Sequence, residues 1–260
     1  MQIDLNADVG EGLGPWKMGE DEALFEVISS ANIACGFHAG DPLIMDQTLR
    51  MARERGIDVG AHVGFPDRQG FGRRVMQIDT HELAAMVVYQ LGALSGLAKA
   101  AGCQMTHMSF HGALGNMVAA DPALANPLLE AVARFDANLI ISSSSSRAIE
   151  EAGERIGLMV ATSFLADRAY DEQALLVPRK LPNSVIKDKQ AVLERVRQLL
   201  STGLVTTYNG TRIPIKARSI LVHGDTPGAV ALALAIRQEI EAQGGRIVPI
   251  SHQRASGFSR

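Results

Sequence analysis

Four of the seven histidines lie just past short apolar segments that look like β-strands, and each has a glycine or an alanine beside it. These four are His38, His62, His111 and His223. Asp8 closes the first of the apolar segments, and Asp225 follows shortly after the last of the four histidines. Imidazoles and carboxylates gathered in one place suit general acid–base catalysis near neutral pH or the binding of a divalent cation.

Each of these histidines alone is typical of a hydrogen-bonding side chain at a strand end. Their repetition at equivalent positions, together with Asp8 and Asp225, predicts one shared catalytic site. The remaining histidines, His81, His107 and His252, are left out of the site. His81 begins a predicted helix, and His107 lies inside a predicted strand.

The site forms only if the strand ends meet, which requires parallel strands. Apolar segments alternate with helical patterns along the whole chain, as in α/β proteins with right-handed crossovers. The predicted strands are 2–8, 30–35, 57–62, 104–110, 138–143, 158–165, 219–223 and 246–250. The predicted helices are 20–28, 42–55, 80–101, 121–134, 146–156, 188–201 and 226–243.

An open doubly wound sheet and a closed barrel both fit this alternation. Polar residues follow nearly every strand, which favours the barrel, because an open sheet concentrates them at one switch point. A chain of 260 residues also matches the roughly 250 residues of one barrel, so residues 1–260 are predicted to form one domain. The irregular segment 166–187 and a hairpin at 204–217, around Asn209-Gly210, are predicted to lie over the barrel mouth.

Composition narrows the class of protein. The net charge is −3 and 47% of the residues are hydrophobic, so no basic stripe predicts binding to nucleic acid or to a membrane surface. The two cysteines form no CxxC pair and no leader segment precedes the first strand, which predicts a cytoplasmic protein. The longest apolar helix, 82–101, contains Gln90, Ser95 and Lys99 and is interpreted as buried rather than membrane-spanning.

Several catalytic motifs do not occur in the sequence. There is no phosphate-binding P-loop, no GxGxxG unit, no GxSxG elbow and no HExxH pair. Cys35 lies near His38, but a free thiol in a buried strand behaves as a small hydrophobe. Two further features could be structural or functional: the pair Asp167-Arg168, and Arg73. Each either forms an ordinary ion pair or binds an anion, since guanidinium groups bind carboxylate and phosphate bidentately.

The same residues carry a pattern that resembles the LamB/YcsF family over essentially the whole chain. The matching segments are 4–12 (DLNADVGEG), 30–41 (SANIACGFHAGD), 60–62 (GAH), 65–67 (FPD), 70–73 (GFGR), 166–170 (ADRAY), 176–179 (LVPR) and 223–225 (HGD). The resemblance implies a distorted seven-stranded (β/α) barrel related to the glycoside hydrolase/deacetylase superfamily. It also implies opening of the 5-oxoproline lactam to glutamate, coupled to ATP hydrolysis, with two partner subunits, B and C. The expectation that ATP is used comes from the resemblance alone.

Three positions depart from the family pattern. Ser109 and Gly115 stand where the family usually has lysine and tyrosine, and Ser163 stands at a position that is usually acidic. Losing a lysine and a carboxylate together suggests that a charged pair was replaced as a unit. A changed substrate or a reduced lactamase activity would follow.

The preferred hypothesis assigns a role to each candidate. His62 and His111 handle protons, Asp8 orients water or a histidine, and His38, His223 and Asp225 complete the catalytic set. The predicted substrate-binding residues are Asn6, Arg73, Asp167 and Arg168. A divalent metal, where one is present, would be held by Asp8, His62 and His111.

Two other functions stay open. One is a metal-dependent deacetylase or amidase that works without ATP. The other is a non-catalytic barrel subunit that binds a small lactam without turning it over. The sequence leaves a homo-oligomer open as well.

Overall fold

The computed structural model describes residues 1–253, and a closed barrel of parallel strands forms its centre. The strands in chain order are β1 (Gln2–Val9), β2 (Ser30–Ala34), β3 (Asp58–Val63), β4 (Met105–Phe110), β5 (Ile140–Ser143), β6 (Val160–Leu165), β7 (Leu204–Thr206), β8 (Arg212–Pro214), β9 (Ser219–Val222) and β10 (Arg246–Ile247). Strands β1 to β6 and β9 pair in that order, and β9 closes the barrel on β1. The predicted seven-stranded α/β barrel is confirmed; residues 254–260 of the predicted domain lie outside the described residues.

Helices surround this barrel. They are α1 (Asp21–Phe25), α2 (Pro42–Arg55), α3 (Thr80–Ala101), α4 (Gly112–Ala120), α5 (Pro122–Phe135), α6 (Arg147–Ile156), α7 (Lys189–Thr202) and α8 (Ala229–Ala242). Helix α2 shows how local sequence sets their bounds. The Asp41 carboxylate accepts hydrogen bonds from the first free backbone N–H groups, and Gly56 ends the helix in the left-handed conformation, which costs glycine little.

Helix α4 was not predicted from the sequence. The His111 side chain does not cap its first turn, and Gly115 lies in its middle, so the usual helix signals are missing. Ala113, Leu114 and Val118 are buried in the core, and this packing stabilises a helix that local propensity does not favour.

The last predicted strand, 246–250, is shorter than expected. Strand β10 has two residues, which pair with Gln2 and Ile3 of β1 outside the barrel. Pro249 has no N–H to donate to a ladder, and Ile250–His252 forms a short 3-10 helix instead.

The predicted hairpin is confirmed as β7 and β8, which pair antiparallel around Asn209-Gly210. Its turn packs beside the segment 166–187, where the Tyr208 N–H donates to the Tyr170 carbonyl. No described residue of the hairpin lines the cavity at the barrel mouth, so it supports the mouth from outside rather than covering it.

Asp4 lies fully buried near the N-terminal end of the barrel. Its carboxylate accepts hydrogen bonds from the hydroxyls of Ser29, Ser30 and Ser219 at 2.6–2.7 Å. Burial raises the pKa of Asp4 to about 6 even though these hydroxyls favour the charged form. This network ties β1 to β9 and to the start of β2, away from the predicted site.

Helix α3 is, among the described residues, the one helix long and apolar enough by length and composition to cross a membrane. A core helix of a soluble protein passes the same test. Leu83, Val87, Leu91 and Leu94 are buried, and α3 packs against β3, β4 and α5. The interpretation of this segment as a core helix fits that packing.

Candidate active site

The C-terminal ends of the barrel strands carry the predicted histidines. His62 lies in β3, while His38, His111 and His223 lie in the segments just after β2, β4 and β9. All four are buried, as is Asp8 near the end of β1. Because parallel strands point the same way, these side chains meet at one mouth of the barrel. The structure thus brings the five residues together.

Two imidazoles at this mouth are joined directly. His62 Nε2 lies 2.9 Å from His111 Nδ1. The outer nitrogens are also occupied, because His62 Nδ1 lies 2.7 Å from Ser109 Oγ and His111 Nε2 lies 2.8 Å from the Phe71 carbonyl oxygen. His111 also stacks on the ring of His38, with centroids 3.7 Å apart.

The groups at the two ends of this series of hydrogen bonds determine which atom donates in each of them. The Phe71 carbonyl only accepts, so His111 Nε2 carries a hydrogen, and a neutral His111 ring then leaves its Nδ1 bare. His62 must therefore donate from Nε2 to His111 and accept at Nδ1 from the Ser109 hydroxyl. The result is a directed proton path that runs from Ser109 through His62 and His111 to Phe71.

Burial keeps these rings neutral. It lowers the pKa of His62 to about 3 and the pKa values of His38 and His111 well below their usual range. The positive charge that each ring would gain is also disfavoured by its imidazole neighbours. Near neutral pH the three rings are neutral. The Nδ1 lone pairs of His62 and His111 already accept hydrogens within the hydrogen-bond chain, so the two rings can take a further proton or bind a cation only when those hydrogens move.

Glu11 joins the site although it was not predicted as a member. Its Oε1 lies 3.2 Å from His38 Nε2 and 3.7 Å from His111 Nδ1. Burial raises the pKa of Glu11 well above its usual range, and the nearby Asp8 raises it further. The sequence feature that could have indicated Glu11 as a site residue is its position in the segment 4–12, three residues after Asp8.

Glu11, His38, His62 and His111 each offer one ligand atom, and these atoms lie within 4.8 Å of one another. The donors fit a divalent transition metal such as zinc. Ser109 Oγ and the Phe71 carbonyl can hold the outer N–H groups of His62 and His111, which frees the two facing nitrogens to bind. His38 Nδ1 is buried without a hydrogen-bond partner among the described residues.

Asp8 differs from its expected role as a metal ligand, because it is not one of this group of four. Its Oδ1 lies 3.5 Å from His62 Nε2 and accepts a hydrogen bond from Asn32 at 2.9 Å. Burial raises the pKa of Asp8 above its usual value. Asp8 therefore lies beside the His62–His111 pair and lines the cavity above it.

A polar layer lies beneath Asp8. Asn32 Oδ1 contacts His107 Nε2 at 3.1 Å and Asn6 Nδ2 at 3.4 Å. Sequence reasoning set His107 aside as a strand residue, yet it supports Asp8 through Asn32. Asn6 was predicted to touch substrate, but it is fully buried and does not line the cavity.

His223 is held by a carboxylate on the other side of the mouth. Asp167 Oδ1 and Oδ2 lie 2.9 and 3.0 Å from His223 Nδ1. Burial opposes the charge on both groups, but their mutual attraction outweighs it and raises the pKa of His223 while lowering that of Asp167. Asp167 thus orients His223, whose Nε2 lies 3.4 Å from Arg179 Nη2.

The other predicted charged residues have protein partners. Arg73 Nη2 lies 2.7 Å from Asp225 Oδ2, so this pair bridges two loops at the mouth. Arg168 donates to the carbonyls of Val177 and Ser184 at 2.7 and 3.2 Å, which braces the segment 166–187. Arg73 and Arg168 both line the cavity, whereas Asp225 does not.

These groups open into a cavity of about 590 Å³, within the range typical of small-molecule sites. Ser109, Gly115 and Ser163, the positions at which departures from the family pattern are expected from the sequence, all line it. Ser163 Oγ lies 2.8 Å from Ser142 Oγ. These three residues are therefore part of the surface that a ligand would meet.

Comparisons with known proteins agree with this architecture. A model of the LamB/YcsF family matches residues 3–255. The chain is 68% identical over 259 residues to a 5-oxoprolinase A subunit of Ralstonia nicotianae, the one numbered 2, covering 100% of this chain and 99% of that protein. It is 67% identical over 251 residues to the 5-oxoprolinase A subunit numbered 1 of Pseudomonas syringae pv. tomato, covering 96% and 98%.

A solved structure resembles the whole barrel. The lactam utilization protein from Thermus thermophilus superposes with a TM-score of 0.88 at 37% identity, over 95% of this chain and 99% of that one. The match in sequence and in fold leads to one conclusion: this chain is a member of the LamB/YcsF family.

Proposed function

We propose that the chain is the A subunit of an ATP-dependent 5-oxoprolinase, which hydrolyses the lactam of 5-oxo-L-proline (pyroglutamate) to L-glutamate. The directed pair of His62 and His111 at the floor of the cavity carries this proposal, because opening a lactam requires proton transfer in two places. The names of the relatives, 5-oxoprolinase A subunits and a lactam utilization protein, support the substrate class.

The reaction adds water to the lactam carbonyl and breaks the ring C–N bond. A proton of the attacking water moves to Ser109 Oγ as the Ser109 hydrogen moves to His62 Nδ1 and the His62 Nε2 hydrogen moves to His111 Nδ1. Asp8, 3.5 Å from His62 Nε2, positions that water. The departing ring nitrogen needs a proton, and His223 can supply it because Asp167 stabilises its charged form. General acid–base steps of this kind typically contribute about 10²- to 10⁴-fold to the rate.

An amide is a poor electrophile, which is why coupling to ATP helps. Phosphorylation of the carbonyl oxygen would make the ring carbon a better electrophile. Water adds to that carbon, the ring C–N bond breaks as the nitrogen takes up a proton, and the acyl phosphate that results is hydrolysed to glutamate and phosphate. ATP is part of this proposal through the family resemblance, and we propose that its binding is shared with partner subunits B and C. We place the complex in the cytoplasm, since Cys35 and Cys103 are both free thiols of the kind that reducing compartments preserve.

A second function is favoured by one observation, the cluster of Glu11, His38, His62 and His111. A divalent ion held there would act as a Lewis acid on the amide carbonyl, as in an amidase or deacetylase that needs no ATP. His62 and His111 cannot do both jobs at once, because the hydrogen between their facing nitrogens must leave before those nitrogens bind a metal. The metal content therefore separates the two functions.

The test is glutamate formation from 5-oxoproline by this chain co-expressed with its candidate B and C subunits. We expect glutamate that requires both Mg-ATP and this chain and that persists when a zinc-selective chelator is added in the presence of excess Mg²⁺. Turnover without ATP that is lost on chelation would instead establish the amidase. Binding of 5-oxoproline by an assembled complex that forms no glutamate would establish the non-catalytic subunit that the changes at Ser109, Gly115 and Ser163 leave open.

A further inference from the structure

The cavity is positively charged although the chain is not. The formal net charge of the chain is −3. Among the described residues that line the cavity, however, the cations are Arg73, Arg168, Arg179 and Lys180, and the one carboxylate is Asp8. A cleft lined mainly by one sign of charge focuses the field and attracts ligands of the opposite sign.

Two of these cations already have strong protein partners. Arg73 forms an ion pair with Asp225 at 2.7 Å, and Arg168 donates to two backbone carbonyls. Arg179 differs, because within residues 1–253 its side chain makes only a long 3.4 Å contact with His223 Nε2, which is a hydrogen bond only while that nitrogen carries no hydrogen. A guanidinium has five N–H donors, so most of those on Arg179 are left for a ligand.

The lining of the same cavity adds hydroxyl groups. Ser142 and Ser163 line the cavity together with Ser143 and Ser144. The last two side chains make no hydrogen bond with any described residue, and the hydroxyls of Ser142 and Ser163 form a hydrogen bond only with each other. Hydroxyls and a guanidinium that line one cavity are suitable donors to an oxyanion, and no carboxylate lies among these residues to repel it.

We propose that Arg179 and the serines at 142–144 form an oxyanion subsite that holds a carboxylate or phosphoryl group of the ligand. The inference rests on the proposed function, because it places the anionic end of a lactam here while the carbonyl faces His62 and His111. Arg179 then binds substrate directly, and Arg168 acts as a brace for the segment that carries it.

The test measures binding rather than turnover, so it does not depend on partners or on ATP. The full chain is titrated calorimetrically with 5-oxoproline, with 2-pyrrolidinone, which lacks only the carboxylate, and with inorganic phosphate. The variants are Arg179→Met, Arg179→Lys and the double variant Ser143→Ala/Ser144→Ala. Arg134→Met on the exposed face of α5 is the matched control, and thermal melting confirms that each variant folds.

We expect Arg179→Met to weaken binding of 5-oxoproline on the order of 10- to 100-fold, the usual range for a charge-assisted hydrogen bond. Binding of 2-pyrrolidinone should not change. Arg179→Lys should recover part of the loss, because lysine keeps the charge but not the planar fork. The serine double variant should show a smaller loss, and Arg134→Met should show none.

The probes also distinguish the two sources of the anion. A loss confined to phosphate would assign the subsite to a phosphoryl group, and a loss confined to 5-oxoproline would assign it to the substrate carboxylate. Wild-type binding of both anions by Arg179→Met, or binding of no probe by the wild-type chain, would overturn the subsite. Failure of glutamate formation with intact, Arg179-dependent anion binding would overturn the proposed function alone.

Discussion

His62 and His111 face each other through single nitrogens 2.9 Å apart, while the outer nitrogen of each ring is held by Ser109 or by the Phe71 carbonyl. This arrangement admits one hydrogen between the rings or, once that hydrogen leaves, two bare nitrogens for a metal. The site can therefore work as a proton path or as half of a metal centre. Two measurements distinguish the proton path from the metal centre. One is the change in activity when the Ser109 hydroxyl is removed, and the other is the set of residues that metal binding requires.

Removal of the Ser109 hydroxyl should disturb the proton path without removing any ring. In Ser109→Ala, His62 Nδ1 loses its only described side-chain partner, so the orientation of the ring and the position of its hydrogen are no longer fixed. Loss of such an orienting partner typically costs about 10- to 100-fold in activity. The measurement is kcat for glutamate formation, and Ser109→Thr should recover most of it.

The matched control for this variant is Ser201→Ala, which removes an exposed hydroxyl near the end of α7. Equal kcat values for wild type, Ser109→Ala and Ser201→Ala would show that the hydroxyl has no part in orienting His62.

Metal binding should depend on Glu11 rather than on Asp8 alone. If the chain has the second, metal-dependent function, zinc added to the wild type should bind stoichiometrically and raise the melting temperature, because a ligand that binds only the folded state stabilises it. Glu11→Gln and His38→Ala should each abolish stoichiometric binding, since four donors share the cluster. Zinc content after dialysis is measured by elemental analysis.

Glu154→Gln, on the exposed side of α6, is the control for loss of one carboxylate and should bind zinc like the wild type. Full zinc occupancy in both Glu11→Gln and His38→Ala would rule out this cluster as the metal centre.

Asp4 should make stability depend on pH at the other end of the barrel. Its pKa is about 6 in the folded protein against an ordinary value of 3.8, so the folded state keeps a proton that the unfolded chain has lost between these values. Stability from Asp4 is therefore lost as pH rises through this window, by about 3 kcal/mol. Asparagine at position 4 does not titrate.

The check is urea unfolding of wild type and Asp4→Asn between about pH 4 and pH 7, with the shift taken from linkage. The free energy of unfolding of the wild type should fall relative to that of the variant as pH rises. A difference that stays constant, or that grows in favour of the wild type, would contradict the buried, raised pKa of Asp4.

The barrel was predictable because its signals are local and repeated. Apolar segments, caps such as Asp41 and stops such as Gly56 mark most elements within a few residues. Helix α4 was not predicted because its stability comes from burial of Leu114 and Val118 rather than from capping residues. Strand β10 was overestimated because Pro249 interrupts an apolar run that otherwise looks like a strand.

The candidate site was predictable only in part, for a similar reason. Strand ends in a parallel barrel must converge, so Asp8, His62, His111 and His223 could be grouped without coordinates. Side-chain direction could not be deduced in the same way: Glu11 turns back toward His38 from a loop.

Two further placements depended on three-dimensional packing. His107 points into the barrel and reaches Asn32, although a strand position alone does not say which face it takes. Arg168 and Arg179 are equally basic in sequence, and only the carbonyls around Arg168 show that it braces the loop.

The role of the histidine pair is tested most directly by glutamate formation in the assembled complex containing His111→Ala. It is measured beside wild type and His81→Ala, an exposed histidine at the start of α3. Removal of His111 breaks the path between His62 and Phe71, so we predict that glutamate formation falls by about 10²-fold or more while assembly and melting temperature stay close to wild type. His81→Ala should retain full activity. Wild-type turnover by the His111→Ala complex would contradict the assignment of lactam opening to this histidine pair.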